Sequence, residues 1–258
     1  MGLAELAPQN WLADPPPCPY MFLGQTEICL DKHDETSRFG VELAAGVDWS
    51  GHRRVLGVQP TASADAPAWD TILTAIDPAC RARALLVVAP VKPASSAYNY
   101  HGAGPSYWQR TVSGFVGEIT RHAPLGRQQE IRSLLDSIYQ CRRVSAARRR
   151  AGAVARQMHA MHCTSAAEAL EADVHDTLTF MQFPVEHRVY LRELSILKVV
   201  VRQIKRVTAP VQYFEHPSHA VELIHVRLAQ LQRLQWDRRR YLDMTPLKQR
   251  VGGHRGEK

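Results

Sequence analysis

The hydrophobic period of this chain changes once along its length, and that change limits its possible folds more than any other feature. Three early runs have strand character: Tyr20–Leu30, Phe39–Asp48 and Arg53–Val58. Ser50 and Gly51, between the second and third runs, suit a tight hairpin turn. Residues 67–77 place Trp69, Ile72, Leu73 and Ile76 on one side of a helix. Ala84–Val88 is a continuous apolar run ended by Pro90, the pattern of a short buried strand. Residues 8–19 carry five prolines and read as an extended lead-in, because proline blocks helix and ladder bonds. Residues 93–107, rich in Pro, Ala, Ser, Gly and Tyr, read as loop.

From residue 115 the spacing becomes helical. Ile131, Leu134, Leu135 and Ile138 mark one amphipathic face. Residues 142–181 form an Ala- and Arg-rich stretch without a strand signal. Leu194, Leu197, Val201 and Ile204 recur at helical steps within 187–206. Ile224, Leu228, Leu231 and Leu234 do the same within 219–236. Strands first, with helices around and after them, make an α/β or α+β layout.

At 258 residues the chain can hold one large domain or two small ones. Its charge is uneven. Residues 1–100 hold 7 Lys/Arg against 11 Asp/Glu, and the remainder holds 25 against 14, so the acidic first part gives way to a strongly basic second part. Such a balance points to a polyanionic partner, usually nucleic acid, or to a solvated helical surface. The five cysteines are odd in number and form no Cys-x-x-Cys pair, which argues against a disulfide framework or a cysteine-zinc site and fits reduced thiols. The start lacks a basic region followed by an apolar one, and no apolar run approaches the ~20 residues that span a bilayer. The expectation is a soluble cytoplasmic protein without a membrane partner, nucleoid-associated if it binds DNA.

Other chemistries find little support. His159, His162 and Cys163 have helical spacing but no second ligand pair, so surface histidines are expected rather than a metal site. His101–Gly104 has glycines but no strand-to-helix context for a nucleotide loop. There is no Gly-x-Ser-x-Gly elbow.

Six strings, in order, resemble the mutator-type transposases of bacterial insertion sequences. They are PYMFLGQT (19–26), GVDWSGHRRVLG (46–57), YWQR (107–110), FMQFPVEH (180–187), RQIKRVT (202–208) and WDRRRYL (236–242). The resemblance implies a ribonuclease-H-like α/β domain whose mixed sheet carries two Asp residues. An all-helical insertion precedes a helix carrying a Glu. In the family these three carboxylates hold two metal ions, usually Mg²⁺, for in-line phosphoryl displacement.

Carried onto this chain, the acidic positions are empty. The first Asp falls on Gly24 and the second on Pro90, with Ala89 the alternative if the register slips by one. The Glu falls on Lys198. The family's Cys-x-x-His falls on Thr111 and Gly114. Glycine and proline supply no ligand atom, and a lysine cation repels metal. Glu27 and Asp31 lie at odd offsets from Gly24 and should face the other side of the strand. No acid occurs between Asp77 and Glu118, so no slip restores the second ligand. Lys198 is placed on the apolar stripe of its helix. There it either snorkels at a domain surface or occupies the cleft where the family's Glu sits.

The basic clusters are the candidate DNA contacts: Arg142, Arg143, Arg148, Arg149, Arg150 and Arg156 in the expected insertion, then Arg202, Lys205 and Arg206, then Arg238, Arg239 and Arg240. Contacts of this kind are non-specific and salt-sensitive. Relatives carry a region for terminal-repeat binding ahead of the first Asp. Only 23 residues precede Gly24 here, which leads us to expect that region to be missing.

The expected organisation is a Pro-rich lead-in (1–19), a ribonuclease-H-like sheet part (20–125), a helical insertion (126–186), C-terminal helices completing the core (187–244) and a basic tail (245–258). The expected function is that of a transposase-derived protein, inactive in strand transfer, without cofactor or metal, retaining weak non-specific DNA binding. A homo-oligomer or an association with an intact transposase is the protein partnership it allows. The alternatives are a working transposase that uses unrecognised ligands, and a non-catalytic DNA-binding or interaction scaffold.

Overall fold

The computed structural model describes residues 16–61, 69–93 and 107–253. The chain divides into two compact units, Met1–Tyr107 with Leu194–Lys258, and Trp108–Glu193.

The first unit is built on a sheet. Strands β1 (Tyr20–Asp31), β2 (Asp34–Val47) and β3 (Arg53–Thr61) form an antiparallel meander. β4 (Leu86–Ala89) adds on the other side of β1, in parallel. β5 (Tyr107–Arg110), where the chain passes between units, completes the order β3-β2-β1-β4-β5. The four strand runs read from the sequence all occur, with shifted ends. β4 starts two residues late because its partner sets its start: Leu86 pairs with Tyr20, and Pro19 O accepts from Leu85 N and Leu86 N.

The expected helix over 67–77 is shorter, α1 (Asp70–Ala75), followed by α2 (Pro78–Arg81). Trp69, Ile72, Leu73 and Ile76 are all buried, so the apolar side was legible even though the helix ends were not. α1 lies on one face of the sheet, where a Cβ on Gly57 would meet Ile72 Cδ1 at 3.0 Å. On the opposite face lies α8 (Ser195–Thr208), whose Leu197 and Leu194 cover Gly24. α9 (Pro217–Leu231) packs against α8 and β3, with a hydrogen bond between His225 and the Val58 backbone. Burying side chains such as Leu197, Val200, Ile204, Ile224 and Leu228 contributes roughly 1.5–3 kcal/mol each.

Three expectations for this unit need correction. The helix expected over 187–206 is interrupted, and α8 starts only at Ser195. Lys198 is exposed and off the buried face, which consists of Ile196, Leu197, Val200, Gln203, Ile204 and Thr208. Finally, Thr245–Gly253 forms a helix, α10, with Leu247 buried, where a basic tail was expected. Pro246 near its start suits a first helical turn, where no N–H is needed.

The second unit is all helical beyond the end of β5: α3 (Val112–Arg121), α4 (Gln128–Tyr139), α5 (Val144–Ala160), α6 (Thr164–Asp173) and α7 (Arg188–Leu191). The Ala-rich stretch is not one helix. α5 ends in a Schellman motif, with Cys163 N donating to Met158 O (2.9 Å), His162 N donating to His159 O (3.0 Å) and His162 left-handed at φ 59°. α5 turns Ala147, Ala151, Val154, Ala155 and Met158 inward, and α6 turns Ala166, Ala167 and Leu170 inward. Arg148, Arg149, Arg150 and Arg156 point outward.

Candidate functional site

The parallel pairing of β1 with β4 runs Tyr20–Leu86, Met21–Val87, Phe22–Val88. Continued by two residues, it sets Gly24 level with Pro90, just past the end of β4, and Leu23 level with Ala89. The two positions matched to the family's Asp residues thus lie on β1 and just past the end of its neighbour β4. A side chain at Gly24 would press on leucine methyls. A Cβ there would lie 2.7 Å from Leu197 Cδ1 and 3.2 Å from Leu194 Cδ1. Lys198, the residue after Leu197, is exposed.

These residues do not fit a pair of hard cations. Gly24 and Pro90 offer no donor, leucine methyls occupy the space above Gly24, and Lys198 brings a positive charge. Among the described residues, no group of three or more His, Cys, Asp or Glu is placed to hold a metal. The nearby acids are engaged elsewhere. Glu27 is exposed and pairs with Arg38 at 3.5 Å. Glu193 accepts from Ser113 N (2.8 Å) and Ser113 Oγ (2.5 Å), which caps the first turn of α3. Glu42 is buried on the α1 face, where it accepts from the backbone of Ile72 and Trp69, and burial holds its carboxyl above the ordinary range.

The matched strings have structural work in each unit. In the first, Asp48 of the hairpin turn is buried and accepts from Ser50 N (2.9 Å), Ser50 Oγ (2.5 Å), His52 N (3.0 Å) and Arg54 Nε (2.7 Å). Burial alone would push its carboxyl up, but the bonds from Ser50, Arg54 and His52 outweigh it and hold it low. Gly51 has φ 86°, and a Cβ there would overlap the Leu242 carbonyl oxygen, so only glycine fits. Gly51 O accepts from Tyr241 N (2.8 Å) and Leu242 N (3.2 Å), and Arg54 also pairs with Asp237. Arg53 stacks between Trp236 (4.9 Å) and Tyr241 (5.0 Å). The GVDWSGHRRVLG and WDRRRYL strings therefore dock on each other.

In the second unit, Gln109 of YWQR is buried. Its amide donates to Thr177 O (3.0 Å) and accepts from Phe180 N (2.7 Å). Arg110 bridges Glu118 (2.6 Å) and Asp173 (2.7 Å). Arg188, just after the FMQFPVEH string, donates to the carbonyls of Phe183, Arg142 and Met181. Thr111 and Gly114, matched to the family's Cys-x-x-His, face each other across the first turn of α3, with a Cβ on Gly114 falling 2.7 Å from Thr111 Oγ1. His159 and His162 are exposed, and His159 lies 3.9 Å from Glu171.

All twelve candidate DNA-contacting cations are exposed. Arg142, Arg143, Arg148, Arg149, Arg150 and Arg156 belong to the second unit, at and within α5, and Arg150 donates to Ser137 Oγ (2.8 Å). Arg202, Lys205 and Arg206 lie on α8 and Arg238, Arg239 and Arg240 follow Trp236, all in the first unit. Arg240 is tied to Asp243 at 2.7 Å. Sequence reasoning missed Leu197 as the occupant of the Gly24 site. It also missed Gln232, whose amide accepts from Val55 N (3.0 Å) and donates to Arg53 O (3.1 Å) on the edge strand β3. No local pattern marks either role. His101–Gly104 lies outside the described residues. Among the described residues, no helix is long and apolar enough to cross a membrane.

The matched strings thus follow one another along a mixed sheet with helices on both faces, a helical unit, and a return to the first unit. The sequence model of the family described as "Transposase, Mutator family" matches residues 15–238. This chain belongs to the mutator family of transposases. It is similar to the transposase for insertion sequence element ISRM5 of Rhizobium meliloti, 22% identical over 81% of this chain and 52% of that one. It is similar to that for IS406 of Burkholderia multivorans, 24% identical over 88% of this chain and 59% of the relative. The transposase for IS1081 of Mycobacterium tuberculosis is 26% identical over 89% of this chain and 55% of its own length. The chain thus spans little more than half the length of these relatives.

Proposed function

We propose that this chain is a transposase-derived protein with a ribonuclease-H-like core that has lost metal-dependent strand transfer and keeps weak, sequence-independent affinity for duplex DNA. The fold reading is supported by a mixed sheet whose parallel β1–β4 register, continued past the end of β4, sets Gly24 level with Pro90. It is supported also by the all-helical stretch that lies between that sheet and α8. On this reading residues 20–125 and 187–244 make the core and 126–186 the insertion. The loss of chemistry rests on reading the family's three acidic positions onto Gly24, Pro90 and Lys198, and the observation that supports it is that Leu197 packs over Gly24. Two-metal displacement needs converging carboxylates. DNA affinity is supported by the twelve exposed cations. A second copy or an intact relative is the protein partner this reading allows.

The test has two arms. Calorimetric titration with Mn²⁺ and a strand-transfer assay beside an intact relative should both be negative. Specific Mn²⁺ binding by the unmodified chain would favour a working enzyme with other ligands. A gel-shift titration at low salt should show duplex binding that weakens steeply with salt, and changing Arg148, Arg149 and Arg150 together to Ala should reduce it. Absence of any shift at low salt would remove the DNA reading.

A further inference from the structure

We infer that the outer face of α8 is a polyphosphate-contacting ridge in which Lys198 binds the nucleic-acid backbone directly. This deepens the DNA reading above and rests on it. Lys198, Arg202, Lys205 and Arg206 are all exposed. At 3.6 residues per turn they fall within an arc of about 100°, on the side away from Ile196, Leu197, Val200, Gln203, Ile204 and Thr208. A rise of 1.5 Å per residue spreads them over about 12 Å, alongside a duplex that carries one phosphate charge per ~1.7 Å of axis.

The ridge is not neutralised. Ser195–Thr208 contains no Asp or Glu. Among the described residues none of the four cations takes part in an ion pair, whereas Arg38, Arg54, Arg110, Arg127 and Arg240 are all paired. Helix electrostatics account for only half of it. Lys205 and Arg206 sit in the last turn, where cations suit the helix dipole. Lys198 sits near the start, where a positive charge opposes the dipole and no acid of the first turn offsets it. Burial does not explain Lys198 either, since it is exposed and off the buried face of α8. An anion from outside the chain is the partner that fits its charge and exposure. The run of cations along one face matches an extended phosphate backbone better than a single small anion.

The experiment is fluorescence anisotropy with a labelled 20-base-pair duplex of mixed sequence at 50 and 200 mM salt. It compares the unmodified chain, Lys198→Glu, the quadruple change of Lys198, Arg202, Lys205 and Arg206 to Gln, and the triple change of Arg148, Arg149 and Arg150 to Ala. Lys198→Glu, which puts back the family's residue, should weaken binding by about tenfold at 50 mM salt. The quadruple variant should lower the log–log salt slope by about three to four. If the unmodified chain binds and both ridge variants keep its affinity within about twofold with an unchanged slope, the ridge is a solvated surface and the inference fails, while the DNA reading stands. If the unmodified chain shows no binding at 50 mM, the DNA reading fails and takes the ridge with it. Binding to phosphatidylserine-containing vesicles in place of the duplex would overturn the inference as well. Should the quadruple variant not fold, by circular dichroism, Lys198→Glu alone decides.

Discussion

Gly24 of β1 lies against Leu197 of α8, so close that a Cβ on Gly24 would be 2.7 Å from the Leu197 Cδ1 methyl. This contact helps seat α8 on the sheet, and leucine methyls fill the space above Gly24.

That closeness predicts coupling. Gly24→Ala should cost about 1–3 kcal/mol through overpacking, and Leu197→Ala about 2–5 kcal/mol through the cavity it leaves. Each change relieves the other, so the double variant should be more stable than the summed losses predict. Urea unfolding of the four proteins measures this. Additivity within about 0.5 kcal/mol would show that the two residues do not press on one another.

Gln232 stands in for a neighbouring strand on the open edge of β3, since its amide pairs with Val55 N and Arg53 O and also donates to Asp237 (2.7 Å). Gln232→Leu should lower stability by about 2–3 kcal/mol, because a buried N–H loses its acceptor. Hydrogen exchange at the Val55 amide should speed up more than at Val58. An unchanged Val55 rate would argue against the pairing.

Two buried carboxylates, Glu42 of β2 and Asp48 of the turn after it, should give opposite pH signatures. Bonds from Ser50 and Arg54 hold Asp48 low against the opposing push of burial. Its contribution is therefore present above its unfolded value of 3.8 and lost as pH falls through its folded value. Asp48→Asn should be most destabilising at neutral pH, by on the order of 2–3 kcal/mol, and least in acid. Burial raises Glu42 above 4.5, which favours the folded chain only while the group is protonated. Glu42→Gln should thus stabilise at neutral pH, with the gain fading as pH falls through the raised folded value and gone below 4.5. Chemical denaturation of both variants from pH 3 to 8 checks the signs, and parallel pH curves would refute the assignments.

His162 occupies the left-handed position that ends α5, a conformation glycine adopts without strain. His162→Gly should raise stability by about 1 kcal/mol, and a differential scan should show a higher Tm. A lower Tm would mean the imidazole contributes more than the strain it carries.

Much of this protein was legible in its linear pattern. The strand runs, the apolar side of α1 and the acid-free stretch after Asp77 follow from residue type and spacing alone, because period and composition are local properties. The phase of α8 was not. Ile196, Leu197, Val199, Val200 and Val201 are apolar at nearly consecutive positions, so the pattern permits two buried faces. The sheet selects the one through Ile196, Leu197 and Val200, which turns Lys198 outward instead of leaving it on the stripe. The level placement of Gly24 and Pro90, the occupation of the Gly24 site by Leu197, and the edge pairing by Gln232 were likewise decided only by tertiary structure. Each depends on which distant side chain reaches a given backbone position, and a helix that packs on a sheet chooses that partner by shape and not by sequence neighbourhood.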